Sequence, residues 1–280
     1  MLNAKNGHLR TRSFEMDYIR FGNGERTLVM IPGVGDGLKT VKGMAAPFAV
    51  LYRSLSKDFT VYVFSRRVEL MPGMTTRDMA EDQNRAMKAL GLSRVSLVGV
   101  SQGGMIAQWL AIDHPERVSR LVLAVTLSRP NPTVQEAVDG WIKMAKMGDY
   151  KGIMLDTAER SYTEERLRKT RKMYELIGSV GKPKSFDRFM IQAGSCITHD
   201  AYDELPGITC PTLVIGGTDD RIVTGKASSE IADQIPGSKL KMYLGLGHGL
   251  YENKDFLEQV RRFCIADEEI SLVCRTKQKR

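Results

Sequence analysis

Cysteine, histidine and tryptophan are scarce in this chain, and long apolar runs are missing altogether. Only four of its 280 residues are cysteines and four are histidines. Cys196, Cys210, Cys264 and Cys274 stand without a CxxC pair or Cys/His ligand spacing, so free thiols are expected instead of disulfides or a zinc site. Neither a metal nor a cofactor is implied. No segment nears the roughly 18 apolar residues of a membrane span, and Met1 to His8 lacks the apolar stretch and cleavage site of a secretory leader. A cytoplasmic protein with no membrane partner is the expectation.

Positive charge is in surplus, at a formal net +8. It concentrates in two places: Arg166, Arg168, Lys169, Arg171 and Lys172, and the tail Arg275 to Arg280. Neither is interleaved with aromatics or set in a nucleic-acid motif, so the first reads as a solvated helix face and the second as a chain end. No nucleic-acid partner is expected.

What the chain has in quantity is short apolar runs alternating with helical patterns, the mark of crossover connections and a mostly parallel sheet. The runs are Thr27 to Ile31, Val61 to Phe64, Val95 to Val98, Arg120 to Val125, Thr212 to Ile215 and Leu240 to Leu244. Phe14 to Phe21 alternates and reads as a half-exposed antiparallel edge strand, with Gly22-Asn23-Gly24 as its hairpin turn. Thr75 to Asp78 reads as a helix start, and Met79, Ala86, Met87 and Leu90 follow at helical spacing. Strand signals vanish from about 128 to 203. The expected organisation is a core of residues 1–127 and 204–280 with a helical insertion of residues 128–203. Its Met and aromatic residues, Trp141, Met154, Tyr162, Phe189 and others, read as helical core or as a pocket lining.

Two glycine-rich loops follow buried strands. Pro32-Gly33-Val34-Gly35-Asp36-Gly37-Leu38-Lys39-Thr40 lacks the glycine that a phosphate cradle needs before Lys-Thr, where Leu38 stands. Nucleotide binding is therefore not expected, though free N–H groups in such a loop suit an oxygen that turns negative during a reaction. The second, Gly99-Val100-Ser101-Gln102-Gly103-Gly104, sets a lone serine between glycines where a strand hands over to a helix, so the backbone can turn sharply and point the hydroxyl outward.

Taken with Gly217-Thr218-Asp219-Asp220-Arg221-Ile222-Val223 and Gly247-His248-Gly249, these residues resemble the α/β-hydrolase family: a GxSxG nucleophile elbow, an acid loop and a histidine loop in the order Ser, Asp, His. The likeness covers roughly residues 14–265 and is weakest across the insertion. It implies an α/β fold with a mostly parallel sheet flanked by helices and a helical cap, in the esterase and enol-lactonase branch.

It also implies a catalytic triad of Ser101, Asp220 and His248. Asp219 competes for the acid role; the family pattern of an acid two residues before a β-branched residue, here Ile222, favours Asp220. The implied oxyanion donors are the backbone N–H groups of Val34 and Gln102. Ser65-Arg66-Arg67-Val68 departs from the Asp and Arg-Gly of many relatives, which leaves Arg66 and Arg67 to an anionic substrate or to structural ion pairs.

His114 and His199 read as structural, and His8 as part of a frayed end. The activity implied is hydrolysis of a small carboxylic ester or lactone through an acyl-enzyme, with a small-molecule acyl substrate as partner. The alternatives are a thioester, amide or carbon–carbon bond, acyl transfer, or a non-catalytic ligand-binding member of the fold. A homodimer through an exposed face of the cap is a further possibility.

Overall fold

The computed structural model describes residues 2–266. Cys274 and the basic tail lie outside them. Eight strands form one sheet in the order β1 (Lys5–Arg10), β2 (Glu15–Phe21), β4 (Phe59–Arg67), β3 (Arg26–Ile31), β5 (Val95–Val100), β6 (Val118–Ala124), β7 (Thr212–Gly217) and β8 (Lys239–Tyr243). From β4 to β8 every pairing is parallel, while β1 and β2 are antiparallel additions at one side. β5 and β7 are buried along their whole length, which is why they read as unbroken apolar runs without alternation.

Three readings of the N-terminal segment need correction. The edge strand is β1, so Phe14 to Phe21 lies one place inside the sheet. Its partner on the inner side is β4 and not β3, so Gly22-Asn23-Gly24 is a crossing connection, not a hairpin turn. His8 is not frayed: it sits in β1 opposite Asp17 and hydrogen-bonds that carboxylate at 2.8 Å. With Lys5-Asn6-Gly7-His8-Leu9-Arg10 almost wholly polar, this strand has no apolar alternation to announce it.

Helices cover both faces. α2 (Thr76–Ala89), α3 (Gln102–Asp113) and α8 (Gly225–Gln234) enclose one core layer with Val29, Leu97, Leu121 and Val214. α1 (Ala45–Leu51) and α9 (Lys254–Ile265) enclose the other with Val61, Val98, Val122 and Ile215. Burial of such side chains contributes about 1.5–3 kcal/mol each. Thr75 caps α2 through a reciprocal pair of bonds with Asp78.

Between β6 and β7 run four helices, α4 (Pro132–Lys146), α5 (Tyr150–Ser161), α6 (Glu164–Val180) and α7 (Asp187–Ile197), with a third cluster of packed side chains beneath them. β4 and β5 flank β3 on opposite sides, so the direction of winding reverses there. In an open parallel sheet this opens a crevice at the carboxyl ends of the strands. The loops after β3 and β5 carry Val34 and Ser101.

Candidate active site

Ser101 ends β5 and begins α3 with φ 54° and ψ −123°, a conformation that a side chain resists. The neighbours hold it there. The Ser101 carbonyl accepts from Thr126 Oγ1 at 2.8 Å and from Gly104 N–H at 2.8 Å, and its own N–H donates to Ala124 O at 2.9 Å. A Cβ on Gly103 would collide with the Ile31 carbonyl, and one on Gly99 with the backbone of Gly103. The two glycines are thus forced by the close approach of α3 to β3 and β5. Among the described residues the Ser101 hydroxyl has no hydrogen-bond partner, and Gly33 lies directly beside it.

Asp220 follows β7, and its side chain is buried to 1% exposure. Oδ1 accepts from the N–H groups of Ile222 (2.8 Å) and Val223 (3.0 Å), and Oδ2 meets His248 Nδ1 at 2.8 Å. Burial alone would push this carboxyl up. The charge and hydrogen bond of His248, with the two backbone bonds, outweigh it and hold Asp220 below the usual carboxylate range. Asp219 is exposed, accepts from the Thr218 hydroxyl at 2.7 Å, and helps to turn the loop. His248 opens a 3-10 turn after β8, and packing of Gly249 against the Tyr162 ring fixes that turn. The Nδ1 bond to Asp220 leaves Nε2 on the opposite edge of the ring.

Ser101 and His248 line the same cavity, of about 360 Å³, at the carboxyl ends of β3 and β5. Its deeper wall is apolar, built from Met30, Val41, Met44, Phe48, Val63 and Val100, and α4 and α5 roof it with Trp141, Thr157 and Ser161. Val34 borders it in a 3-10 turn. Among the described residues, the N–H groups of Val34 and Gln102 donate to no protein atom. The expectation of a Met- and aromatic-lined pocket reduces to one side chain, since only Trp141 of the insertion's Met and aromatic residues borders this cavity. Phe186 and Phe189 are core, and Met147 and Met173 are exposed.

Other polar candidates fall away from the cavity. His199 is buried among Thr76, Gln108 and Trp109. Gln108 spends Nε2 on the Leu127 carbonyl and turns Oε1 to His199 Nε2–H, so Nδ1 of the neutral ring accepts from the Thr76 hydroxyl, which itself accepts from Trp109 Nε1. Burial drives this imidazole down to about 3. His114 pairs with Glu81 at 2.8 Å. Arg67 grips Asp82 with two bonds, and neither Arg66 nor Arg67 reaches the cavity wall. Cys196, Cys210 and Cys264 are free thiols.

The frame has counterparts among known proteins. A sequence profile described as alpha/beta hydrolase fold matches residues 26–151. The chain has the α/β-hydrolase fold. A relative from Caulobacter vibrioides named "Putative carbamate hydrolase RutD" is 25% identical over 243 residues, covering 81% of this chain and 84% of that one. A 2-hydroxymuconate semialdehyde hydrolase of Pseudomonas putida is 30% identical over 166 residues, 58% of each chain. Among solved structures, the enol-lactonase from Burkholderia xenovorans LB400 aligns with a TM-score of 0.78 at 21% identity, over 92% of this chain and 99% of that one; likeness at that identity speaks for the fold alone. Among the described residues no helix is long and apolar enough to cross a membrane, and no cluster of three or more His, Cys, Asp or Glu could hold a metal.

Sequence reasoning missed a largely buried polar cluster behind the loop after β3, formed by Asp36, Arg66, Arg188 and Gln192. Its one sequence signal is the Arg66-Arg67 doublet placed straight after a buried apolar run.

Proposed function

We propose that this protein is a serine hydrolase acting on a small carboxylic ester or lactone with an apolar acyl portion. Ser101 Oγ attacks the carbonyl carbon while His248 Nε2 takes the hydroxyl proton, and Asp220 holds the imidazole tautomer and steadies its positive form. The N–H groups of Val34 and Gln102, together with the amino end of α3, receive the negative oxygen of the tetrahedral intermediate. Collapse breaks the bond to the leaving oxygen, which takes the proton from His248. Water then gives a proton to His248 and attacks the acyl-enzyme, releasing the acid and Ser101. With a lactone both products stay in one hydroxy acid.

The observation that carries this reading is the opening of the strained Ser101 elbow and the Asp220-paired His248 onto one apolar cavity. The absence of a partner for the Ser101 hydroxyl is compatible with it, because catalytic bonds in unliganded sites often tighten only around substrate. Carbamate, the substrate in the Caulobacter relative's name, is small and polar. The wall of Met30, Met44, Phe48 and Val63 suits a longer apolar group. Residues 128–203 act as the cap of this site.

A fluorophosphonate probe and a panel of esters, lactones, thioesters and amides of graded acyl length test the proposal. Labelling and turnover should require Ser101, and Ser101→Ala should keep the fold. Undiminished hydrolysis by that variant, or an unlabelled and inactive wild type, would overturn it.

A further inference from the structure

We infer that Arg66 is a positioning residue that sets the spacing of the two oxyanion donors by bracing the β3 loop against the nucleophile elbow. This rests on the serine-hydrolase reading above. Arg66 lies near the end of β4 and is 1% exposed. A single nitrogen, Nη2, donates both to the Pro32 carbonyl and to Gln102 Oε1, the latter at 2.8 Å. Pro32 stands two residues before Val34, and Gln102 supplies the other donor. The two protons of Nη2 therefore tie together the two backbone segments on which an oxyanion would rest.

The brace is anchored from behind. Gln102 Nε2 spends its protons on the Gln192 carbonyl (2.6 Å) and Ser195 Oγ (3.0 Å) in α7. Asp36, in the same loop as Val34, accepts from Arg66 N–H (3.0 Å) and Arg188 Nη2 (2.7 Å) through Oδ2. Arg188 in turn donates to the carbonyls of Asp36 and Arg66.

A buried cation is an odd choice for mere filling, since an apolar side chain of that volume would suit the site better. Among the described residues Arg66 makes no ion pair with a carboxylate, and its Nε and Nη1 have no partner. Burial draws its guanidinium down to about 10, with the charge of Asp36 opposing, so it stays charged at neutral pH. What it gains in return is two acceptors on two different loops. Donors in an oxyanion hole act only when held where the charge will form, and displacement of about 1 Å can lower a rate by about 100-fold.

Three variants test the inference on an ester that the wild type hydrolyses: Arg66→Met, Arg66→Lys and Gln102→Met. The steady-state constants and the inhibition constant of a trifluoromethyl ketone, which builds a tetrahedral oxyanion on the serine, are measured for each. Arg66→Met should lower kcat by about 100-fold with KM nearly unchanged, and weaken the ketone by a similar factor. Arg66→Lys should recover part of both, because one ammonium can still reach toward two acceptors. Gln102→Met, which keeps its backbone N–H, should lower kcat by about 10-fold.

If Arg66→Met does not fold, the other two variants decide. Unchanged kcat in the folded variants, or loss confined to KM, overturns the brace. Ser101→Ala run alongside separates the two claims: hydrolysis that does not depend on Ser101 sinks the serine-hydrolase reading, whereas Ser101-dependent hydrolysis indifferent to Arg66 sinks the brace alone.

Discussion

Two buried carboxylates flank the cavity, and their surroundings could hardly differ more. Asp220 spends both oxygens, one on two backbone N–H groups and one on His248. Asp36 crowds its donors onto Oδ2 and leaves Oδ1 bare. Around it Arg66 Nε, Arg66 Nη1 and Gln192 Oε1 also lack partners among the described residues. A saturated network is rigid and stable, whereas a partly satisfied one carries a desolvation penalty. The pairing at Asp220 therefore stabilises as well as orients. The cluster at Asp36 has two guanidinium groups for one carboxylate, and what it contributes is position.

The largest way to probe this contrast is Asp220→Asn. The amide keeps the shape but not the charge, favours the wrong imidazole tautomer, and should lower kcat by about 10⁴-fold while circular dichroism stays native. A loss below about 10-fold would mean that the pair is only structural.

At the other carboxylate the effect should fall on stability first. Asp36→Leu leaves Arg66 and Arg188 without a counter-charge and should cost about 3–5 kcal/mol in urea unfolding. Replacing Asp36, Arg66 and Arg188 together with apolar residues should restore most of that stability, yet leave kcat low. Recovery of both would show that the cluster has no positional role.

His199 gives the smallest and most graded test, as a buried polar group that is both satisfied and neutral. Its folded value is near 3 against 6.5 when free, so between those limits the unfolded chain binds the extra proton. Its contribution is complete above pH 6.5 and is lost as pH falls toward 3, at about 1.4 kcal/mol per pH unit well inside the window. His199→Gln should flatten that slope. Urea titrations at pH 7.5, 6 and 5 would show it, and an unchanged slope would place the proton elsewhere.

Much of the frame was legible because parallel strands buried on both faces leave continuous apolar runs, as Val95 to Val98 and Thr212 to Ile215 do. β1 was not legible: it carries Lys5, Asn6 and His8, with no apolar face, and is held by backbone pairing and by the bonds of His8 to Glu15 and Asp17. The choice between Asp219 and Asp220 turned on a local pattern, since the Oδ1 of Asp220 reaches the N–H groups of Ile222 and Val223, two and three residues on. The Asp36, Arg66 and Arg188 cluster was hidden for the opposite reason. Its members are 30 and 152 residues apart along the chain, and nothing in the vicinity of any one of them names the others.

The close seating of α7 on the loop after β3 limits which part of the cavity's surround can move. A Cβ on Gly37 would stand 2.6 Å from Phe189 Cα, and Arg188 is bonded into the same loop, so α7 cannot lift without disturbing the loop that carries Val34. The α5–α6 hairpin is tied to Glu252 by the buried Tyr162 and by Arg166. On the reading proposed above, α7 is therefore the fixed jamb of the doorway, and any yielding of the roof falls to the Glu252 tether of the hairpin.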